Sequence, residues 1–146
     1  MATFSRTVDV DWAGPIMEGK GIAKAGTGAF SLPVSFPSRI GEPAGNTSPE
    51  ELMAASHASC YAMALNATVG KKGGSIGRTH VTATIVADKS DAGIKLTTSK
   101  LKVVAENLQG IDKAQFNEVA RAAESTCPIS NALRGSLQIE LETEVK

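Results

Sequence analysis

The chain has 146 residues, of which 42% are apolar, enough to build one domain with a proper core. Its 15 basic residues balance 15 acidic ones and only 4% of residues are aromatic, so neither a phosphate-binding groove nor a base-stacking surface is indicated and nucleic acid is not an expected partner. The start lacks a basic segment followed by an apolar one, so we predict a single cytoplasmic domain over residues 1–146.

The first third of the chain predicts antiparallel strands. Apolar and polar residues alternate over residues 7–12, as in a half-buried strand. Further extended segments are predicted near residues 17–23 and 29–36, where glycine and proline mark the turns between them. An irregular loop over residues 38–47 follows, and it contains Arg39.

A long helix is the clearest local prediction. Ser48 as N-cap and Pro49 at the first helical position precede Glu51, which completes a capping box. The helix is expected to end near Val69, with Gly70 in the left-handed position. Apolar and small residues occur nearly all the way round it, interrupted by polar ones, so we expect a helix enclosed by protein and no membrane span.

The second half predicts two long strands, two helices and a last strand. Strands over residues 79–88 and 94–105 are joined by a hairpin, and Asp112 opens the next helix. Pro128 ends or redirects that helix, and alternation over residues 137–142 indicates the final strand. The predicted fold is α+β, a mainly antiparallel sheet wrapped on the long central helix with a second helix pair. One sheet covers only one side of that helix, so we expect a homodimer.

Cys60 and Cys127 are the only cysteines. In a reducing compartment such a pair is more often free, metal-binding or catalytic than a permanent crosslink. Cys60 lies in mid-helix, where the dipole has little effect, so a cation is needed to lower its pKa. Cys127 stands at a predicted helix start, where the helix N-terminus lowers the pKa of a thiol. The pair indicates a two-thiol redox enzyme.

Arg39 is the best placed cation, because a guanidinium stays charged when it is partly desolvated. Glu51 is accounted for by the capping box, so Glu50 is free to hold Arg39 in a bidentate pair. Glu50 and Cys60 are ten helical residues apart, roughly 15 Å along the axis. If both serve one site, Arg39 and Glu50 come from one subunit and Cys60 from the other.

Simpler explanations compete with this interpretation. Arg39 could be a solvated loop cation, Cys60 an inert buried residue and Cys127 a helix-end residue without consequence. His57 and Cys60 share one helical face and suggest a metal site with Cys127. That site lacks a fourth ligand apart from His80, which is predicted in mid-strand. The alternative for His57, which we favour, is a helix residue satisfied by a hydrogen bond at the packing interface. A non-catalytic redox-responsive protein and a metal-binding stress protein therefore remain alternatives.

Two segments carry a resemblance to a known family. Residues 48–60, SPEELMAASHASC, and residues 126–130, TCPIS, closely resemble the OsmC/Ohr family of osmotically inducible and organic hydroperoxide resistance proteins. The Pro-Glu-x-Leu helix opening, the cysteine ten residues after the Glu and the Cys-Pro about 67 residues later make the pattern specific. The resemblance implies that Cys60 is the peroxidatic thiol, Cys127 the resolving thiol and Glu50 the partner of an arginine.

The position of that arginine distinguishes two branches of the family. In the Ohr branch it lies on an early strand, where this chain has Glu18. In the OsmC branch it lies in the loop before the helix, where this chain has Arg39. The chain is therefore similar to the OsmC branch.

The resemblance also implies a reaction and an assembly. The expected assembly is an intertwined homodimer with composite active sites. Cys60 would reduce an organic hydroperoxide and become a sulfenic acid, and Cys127 would condense with it into an intrasubunit disulfide. An external dithiol, of the lipoyl type in this family, would reduce the disulfide, with no metal or organic cofactor. An apolar lining would favour organic peroxides over hydrogen peroxide, and it is expected from Phe36, Ile40, Leu52, Met53 and Tyr61.

Overall fold

The structure is a computed structural model that describes residues 1–146. It contains six strands and four helices, and the strands form two three-stranded sheets. The chain divides into two compact units, residues 1–52 and residues 53–146. The α+β class is confirmed, but the predicted single sheet is wrong because the early and late strands pair only among themselves.

The first unit contains an antiparallel sheet. Strand β1 (Val8–Ala13) pairs with β2 (Lys20–Ala25), which pairs with β3 (Ser31–Val34). Strand β2 turns its small residues to the buried side, in strict alternation with exposed ones. Every residue of β1 is exposed, and Val10 keeps 60% of its surface accessible. The first strand therefore presents apolar side chains that its own chain does not cover.

A short helix, α1 (Phe36–Ile40), follows β3 where an irregular loop was predicted from residue 38. The Ser35 hydroxyl caps it by accepting the backbone N–H of Ser38 at 3.3 Å. The N–H of Gly41 closes the turn on the carbonyl of Pro37 at 3.0 Å. Five residues are too few to produce a helical period, so the sequence pattern did not indicate this helix.

Helix α2 (Pro49–Lys71) is the longest element. The Ser48 hydroxyl accepts the N–H of Glu51 at 3.1 Å, so Ser48 caps the helix as predicted. The reciprocal bond from the Ser48 N–H to the Glu51 side chain is not formed, so the predicted capping box is only half present. The helix continues through Gly70, so Gly73 and not Gly70 takes the left-handed conformation, with a φ of 79°. No helix of the structure is both long enough and apolar enough to cross a membrane.

The second unit contains the other sheet. Strands β4 (Ser75–Ser90) and β5 (Gly93–Gln109) form the predicted hairpin, and both extend beyond the predicted ends. The last strand, β6 (Gln138–Val145), pairs with β5 in parallel. The chain returns to the same end of the sheet through two helices, and a crossover of this kind produces parallel pairing. The other three strand pairs are antiparallel, so the prediction of mainly antiparallel pairing is confirmed.

Two helices form that crossover, α3 (Lys113–Thr126) and α4 (Pro128–Leu133). Asp112 and Gln115 form both hydrogen bonds of a capping box at the start of α3, as their spacing predicts. Cys127 is the residue between the two helices.

The core of the second unit lies where α2, β5 and α3 pack together. Buried residues recur every four positions on α2, so this helix has one buried stripe and is not enclosed on all sides by its own chain. Met63, on another face of the helix, keeps 68% of its surface exposed. The fully or nearly fully buried members of the core are Tyr61, Leu65, Val69, Leu101, Val103, Ala105, Phe116, Val119, Ala120, Ala123 and Cys127.

Candidate active site

The two cysteines meet within the second unit. The Sγ atoms of Cys60 and Cys127 are 3.3 Å apart, and both thiols are free. A disulfide bond is about 2.0 Å long, so a small displacement of either side chain would bring the sulfurs to bonding distance. Cys60 is partly exposed whereas Cys127 is fully buried. A molecule arriving from solvent therefore reaches Cys60 first.

Helix packing holds the two cysteines together. Tyr61, the neighbour of Cys60 on α2, donates its hydroxyl to the carbonyl of Ala120 on α3 at 3.0 Å. At the end of α3, the N–H of Cys127 binds the carbonyl of Ala123 at 2.9 Å. Pro128 then begins α4, and the carbonyl of Cys127 accepts the N–H of Asn131 at 3.0 Å. The backbone of Cys127 is thus fixed on both sides.

The two thiols have shifted acidities of opposite sign. Burial alone would raise the pKa of Cys127, but hydrogen bonding from the backbone and hydroxyl of Ser130, from Cys60 and from the backbone of Ile129 brings this pKa below its usual value. Burial raises the pKa of Cys60 above its usual value, and the backbone of Ile129 offsets this only in part. Within this unit Cys127 is therefore the thiol that ionises more readily.

Arg39 and Glu50 form a bidentate ion pair within the first unit. The Nε of Arg39 lies 3.1 Å from both carboxylate oxygens, and its Nη2 lies 2.6 Å from Oε1. The hydrogen bond from Arg39 is the largest cause of the lowered pKa of Glu50, and the Ser48 hydroxyl adds to it. The same hydrogen bond raises the pKa of Arg39. Both side chains are partly covered, with 28% of Arg39 and 15% of Glu50 exposed.

A small apolar cavity adjoins the Arg39 guanidinium in the first unit, with a volume of about 140 Å³. Phe36, one of the predicted lining residues, contributes to it, whereas Ile40, Leu52 and Met53 do not. Tyr61, also predicted to line a substrate site, is instead fully buried in the core of the second unit. The sequence predicted only that Trp12 lies in a strand. Its position at the end of the alternating apolar residues was the one feature that could have indicated a role in the cavity. The lining residues are Trp12, Ile16, Val34, Ser35, Phe36, Arg39 and Pro49.

His57 is engaged by two serine hydroxyls. Its Nδ1 lies 2.7 Å from Ser99 Oγ, and its Nε2 lies 2.8 Å from Ser130 Oγ. Both ring nitrogens are therefore occupied, although the sequence suggested a metal site with Cys60 and Cys127. His80, the fourth candidate ligand, is exposed on β4. No group of three or more His, Cys, Asp and Glu side chains is arranged to hold a metal ion.

Comparison with known proteins identifies the family. The family model described as OsmC-like protein matches residues 41–142. Peroxiredoxin OsmC of Escherichia coli (strain K12) is 32% identical over 141 residues, which cover 96% of this chain and 97% of that protein. Organic hydroperoxide resistance protein OhrB of Bacillus subtilis (strain 168) is 28% identical over 116 residues, covering 79% of this chain and 82% of that protein.

Solved structures show the same fold. The crystal structure of OhrB of Bacillus subtilis matches with a TM-score of 0.73 and 25% identity, covering 94% of this chain and 98% of that one. An organic hydroperoxide resistance protein from Elizabethkingia anophelis matches with a TM-score of 0.76 and 24% identity over the whole of both chains. The resemblance drawn from the two cysteine segments is confirmed, and this chain belongs to the family of OsmC-like proteins.

Proposed function

We propose that this protein is a cysteine-based peroxidase that reduces organic hydroperoxides. The observation that carries the proposal is the 3.3 Å separation of two sulfurs that lie 67 residues apart in the sequence. The names of two relatives, Peroxiredoxin OsmC and organic hydroperoxide resistance protein OhrB, agree with it. The similarity to Peroxiredoxin OsmC runs through both units of the chain, which supports one functional domain over residues 1–146.

The partial exposure of Cys60 supports its role as the peroxidatic thiol. Its thiolate attacks the outer oxygen of the hydroperoxide, the O–O bond breaks, and the alcohol leaves after taking up a proton. Cys60 is then a sulfenic acid. The Cys127 thiolate attacks the sulfenic sulfur, hydroxide leaves as water after protonation, and the intrasubunit disulfide forms. The lowered pKa of Cys127 suits this second attack.

Arg39 and Glu50 complete the proposed site in an intertwined homodimer. Burial raises the pKa of Cys60 within its own unit, so this thiol needs a cation to become a thiolate at neutral pH. Glu50 and Cys60 lie on the continuous helix α2, roughly 15 Å apart along its axis. We therefore expect Arg39, held by Glu50, to act on Cys60 of the partner subunit. The exposed apolar side chains of β1 and of Met63 support an interface between two copies.

The cavity beside Arg39 supports an organic substrate. Its volume of about 140 Å³ is several times the roughly 30 Å³ that one water molecule takes up in the liquid. Trp12 and Phe36 give it aromatic walls, against which the alkyl or aryl group of a hydroperoxide can bury apolar surface. Hydrogen peroxide has no such group and is expected to react less efficiently.

The cycle closes when an external dithiol reduces the Cys60–Cys127 disulfide by thiol exchange and itself becomes a disulfide. A lipoyl-type dithiol is the expected reductant. The dithiol must itself be returned to its reduced form after each cycle, which requires a reducing compartment. This requirement agrees with the cytoplasmic location expected from the sequence.

Mass spectrometry after addition of an organic hydroperoxide tests the assignment of the thiols. The unsubstituted protein should lose two hydrogens and form one internal disulfide. Cys127→Ser should gain one oxygen on Cys60, whereas Cys60→Ser should remain unmodified. Oxygen uptake by Cys60→Ser equal to that of Cys127→Ser would refute the assignment. Consumption of many peroxides per chain with a dithiol present separates an enzyme from a protein that is only oxidised once.

Mixing two inactive variants tests the composite site. Glu50→Ala lacks the support of Arg39, and Cys60→Ser lacks the peroxidatic thiol. If the site is shared between subunits, a heterodimer of the two contains one complete site, so activity should reappear on mixing. Persistent inactivity after subunit exchange, verified by sedimentation, would contradict the shared site.

A further inference from the structure

Helix α4, which begins directly after Cys127, has little apolar anchorage in the core. Of its six residues only Ser130 is fully buried. So short a helix is not stable by itself, and contacts with the rest of the chain must hold it in place. The ion pair of the exposed Arg134 with Glu124, at 2.7 Å, is screened by solvent and contributes little to this. The buried hydroxyl of Ser130 is therefore the main polar anchor of α4.

That hydroxyl joins α4 to two other elements through His57. The Nε2 of His57 on α2 lies 2.8 Å from Ser130 Oγ, and its Nδ1 lies 2.7 Å from Ser99 Oγ on β5. All three residues are fully buried, and each of their polar side-chain atoms has a partner. Movement of one member would leave a buried polar group without its hydrogen bond. This network therefore fixes α4 to α2 at Ser130.

The two segments that this hydrogen bond joins also contain the two thiols. His57 precedes Cys60 by three residues on α2, and Cys127 precedes Ser130 by three residues at the start of α4. The residues pair in opposite order, with 2.8 Å between His57 and Ser130 and 3.3 Å between the two sulfurs. On each segment about one helical turn separates the hydrogen-bonding residue from the cysteine. A displacement of α4 at Ser130 would therefore also displace Cys127.

We propose that His57 is a positioning residue, whose hydrogen bond to Ser130 holds α4 so that the Cys127 sulfur stays within reach of Cys60. The effective concentration of one thiol at the other determines how stable their disulfide is, and it depends on how narrowly α4 is held. His57 itself takes no part in the chemical steps. The inference rests on the proposed function only in that Cys60 and Cys127 form a disulfide.

Equilibration with glutathione tests the proposal without peroxide. Glutathione disulfide oxidises the two thiols to the Cys60–Cys127 disulfide and is itself reduced to two molecules of glutathione. The oxidised fraction, measured by mass spectrometry after alkylation, gives the effective concentration. Ser130→Ala should lower this concentration roughly three- to tenfold, the equivalent of one buried hydrogen bond. The reduction potential should then rise by about 15–30 mV, since a tenfold change corresponds to about 30 mV.

Ser99→Ala is the matched control. Ser99 is as buried as Ser130 and bonds to the same imidazole, so the two variants should lose a similar amount of stability in urea unfolding. Because Ser99 lies on β5 and not on α4, its loss should leave the effective concentration nearly unchanged. His57→Leu should lower it as much as Ser130→Ala does. The two substitutions combined should lower it no further, because both remove the same hydrogen bond.

A measurement at acidic pH separates the distance between the thiols from their acidity. Below the pKa of both thiols neither is ionised, so a change in acidity does not alter the disulfide equilibrium. The decrease in Ser130→Ala should persist there. A decrease confined to alkaline pH would contradict positioning and would indicate altered thiol acidity instead.

The outcomes also separate this inference from the proposed function. An unchanged effective concentration in Ser130→Ala, or an equal decrease in Ser99→Ala, would overturn the inference even if the protein turns over hydroperoxides. If His57→Leu does not fold, as judged by circular dichroism, the two serine variants carry the test. The expected decrease in a protein that consumes no hydroperoxide would uphold the inference and refute the proposed function. An unsubstituted protein that forms no Cys60–Cys127 disulfide would refute both.

Discussion

Replacement of Glu50 by Gln tests how much the ion pair with Arg39 stabilises the protein. The substitution keeps the shape of the side chain and removes its charge. The guanidinium makes three contacts of 2.6 to 3.1 Å with the carboxylate, and a hydrogen bond between charged groups contributes about 1.5–3 kcal/mol. Solvent screens the partly exposed Arg39 and moves the contribution to the lower end of that range or somewhat below it, so we expect a loss of about 1–2 kcal/mol at neutral pH.

The loss should depend on pH in a defined direction. Arg39 lowers the pKa of Glu50 in the folded protein relative to the unfolded chain. The unfolded chain therefore binds a proton first on acidification, and the stabilisation is complete above the unfolded pKa and lost as pH falls through the folded pKa. The difference between Glu50→Gln and the unsubstituted protein should shrink in the same range.

The single tryptophan makes this measurement local. Trp12 lines the same cavity as Arg39, so its fluorescence during denaturant unfolding reports on the unit that contains the ion pair. Glu51→Gln is the matched control, because Glu51 is an exposed neighbour in the same helical turn and makes no ion pair. Equal stability of the two variants at neutral pH, or a difference that persists in acid, would refute the reasoning.

Three further predictions concern the core, a helix cap and the assembly. Phe116→Ala should cost about 3–5 kcal/mol in urea unfolding because it opens a cavity in the core, and the exposed Phe4→Ala should cost less than about 0.5 kcal/mol; equal losses would contradict the packing described for α3. Asp112→Ala should cost about 1 kcal/mol, since it removes the acceptor for the N–H of Gln115; no loss would exclude a stabilising cap. Val10→Lys should shift the protein towards monomer in sedimentation velocity if β1 lies in the dimer interface, and an unchanged mass would place the interface elsewhere.

The sequence predicted best those features that depend on local chemistry. The capping residue Asp112 and the Cys127-Pro128 junction act through neighbours a few residues away, so their spacing was sufficient. The parallel pairing of β6 with β5 was missed because alternation in a strand shows one covered face but not the direction of its partner. Two sheets instead of one were missed for the same reason.

The same distinction applies to the candidate site, where local spacing could be interpreted and contacts between distant residues could not. The spacing of Glu50, Cys60 and Cys127 carried the resemblance to the family, but nothing in the spacing of His57 and Ser130 shows that they touch. Their contact joins residues 73 positions apart, and it depends on how α4 packs onto α2. The spacing of His57 and Cys60 suggested a metal ligand, and the alternative was a helix residue satisfied by a hydrogen bond at a packing interface. The structure agrees with the alternative, and only the three-dimensional arrangement identifies the two hydroxyls as the partners of His57.

The cysteine at the junction between α3 and α4 affects how the stability of an oxidised protein would compare with that of the reduced one. A disulfide between Cys60 and Cys127 would close a loop of some 67 residues in the denatured chain. The lost entropy of that chain would stabilise the native form by about 4 kcal/mol. The oxidised protein should then be the harder of the two to melt. In the proposed cycle, oxidation would raise the stability of the native form and reduction would lower it. The reductant would therefore have to act on the more stable form.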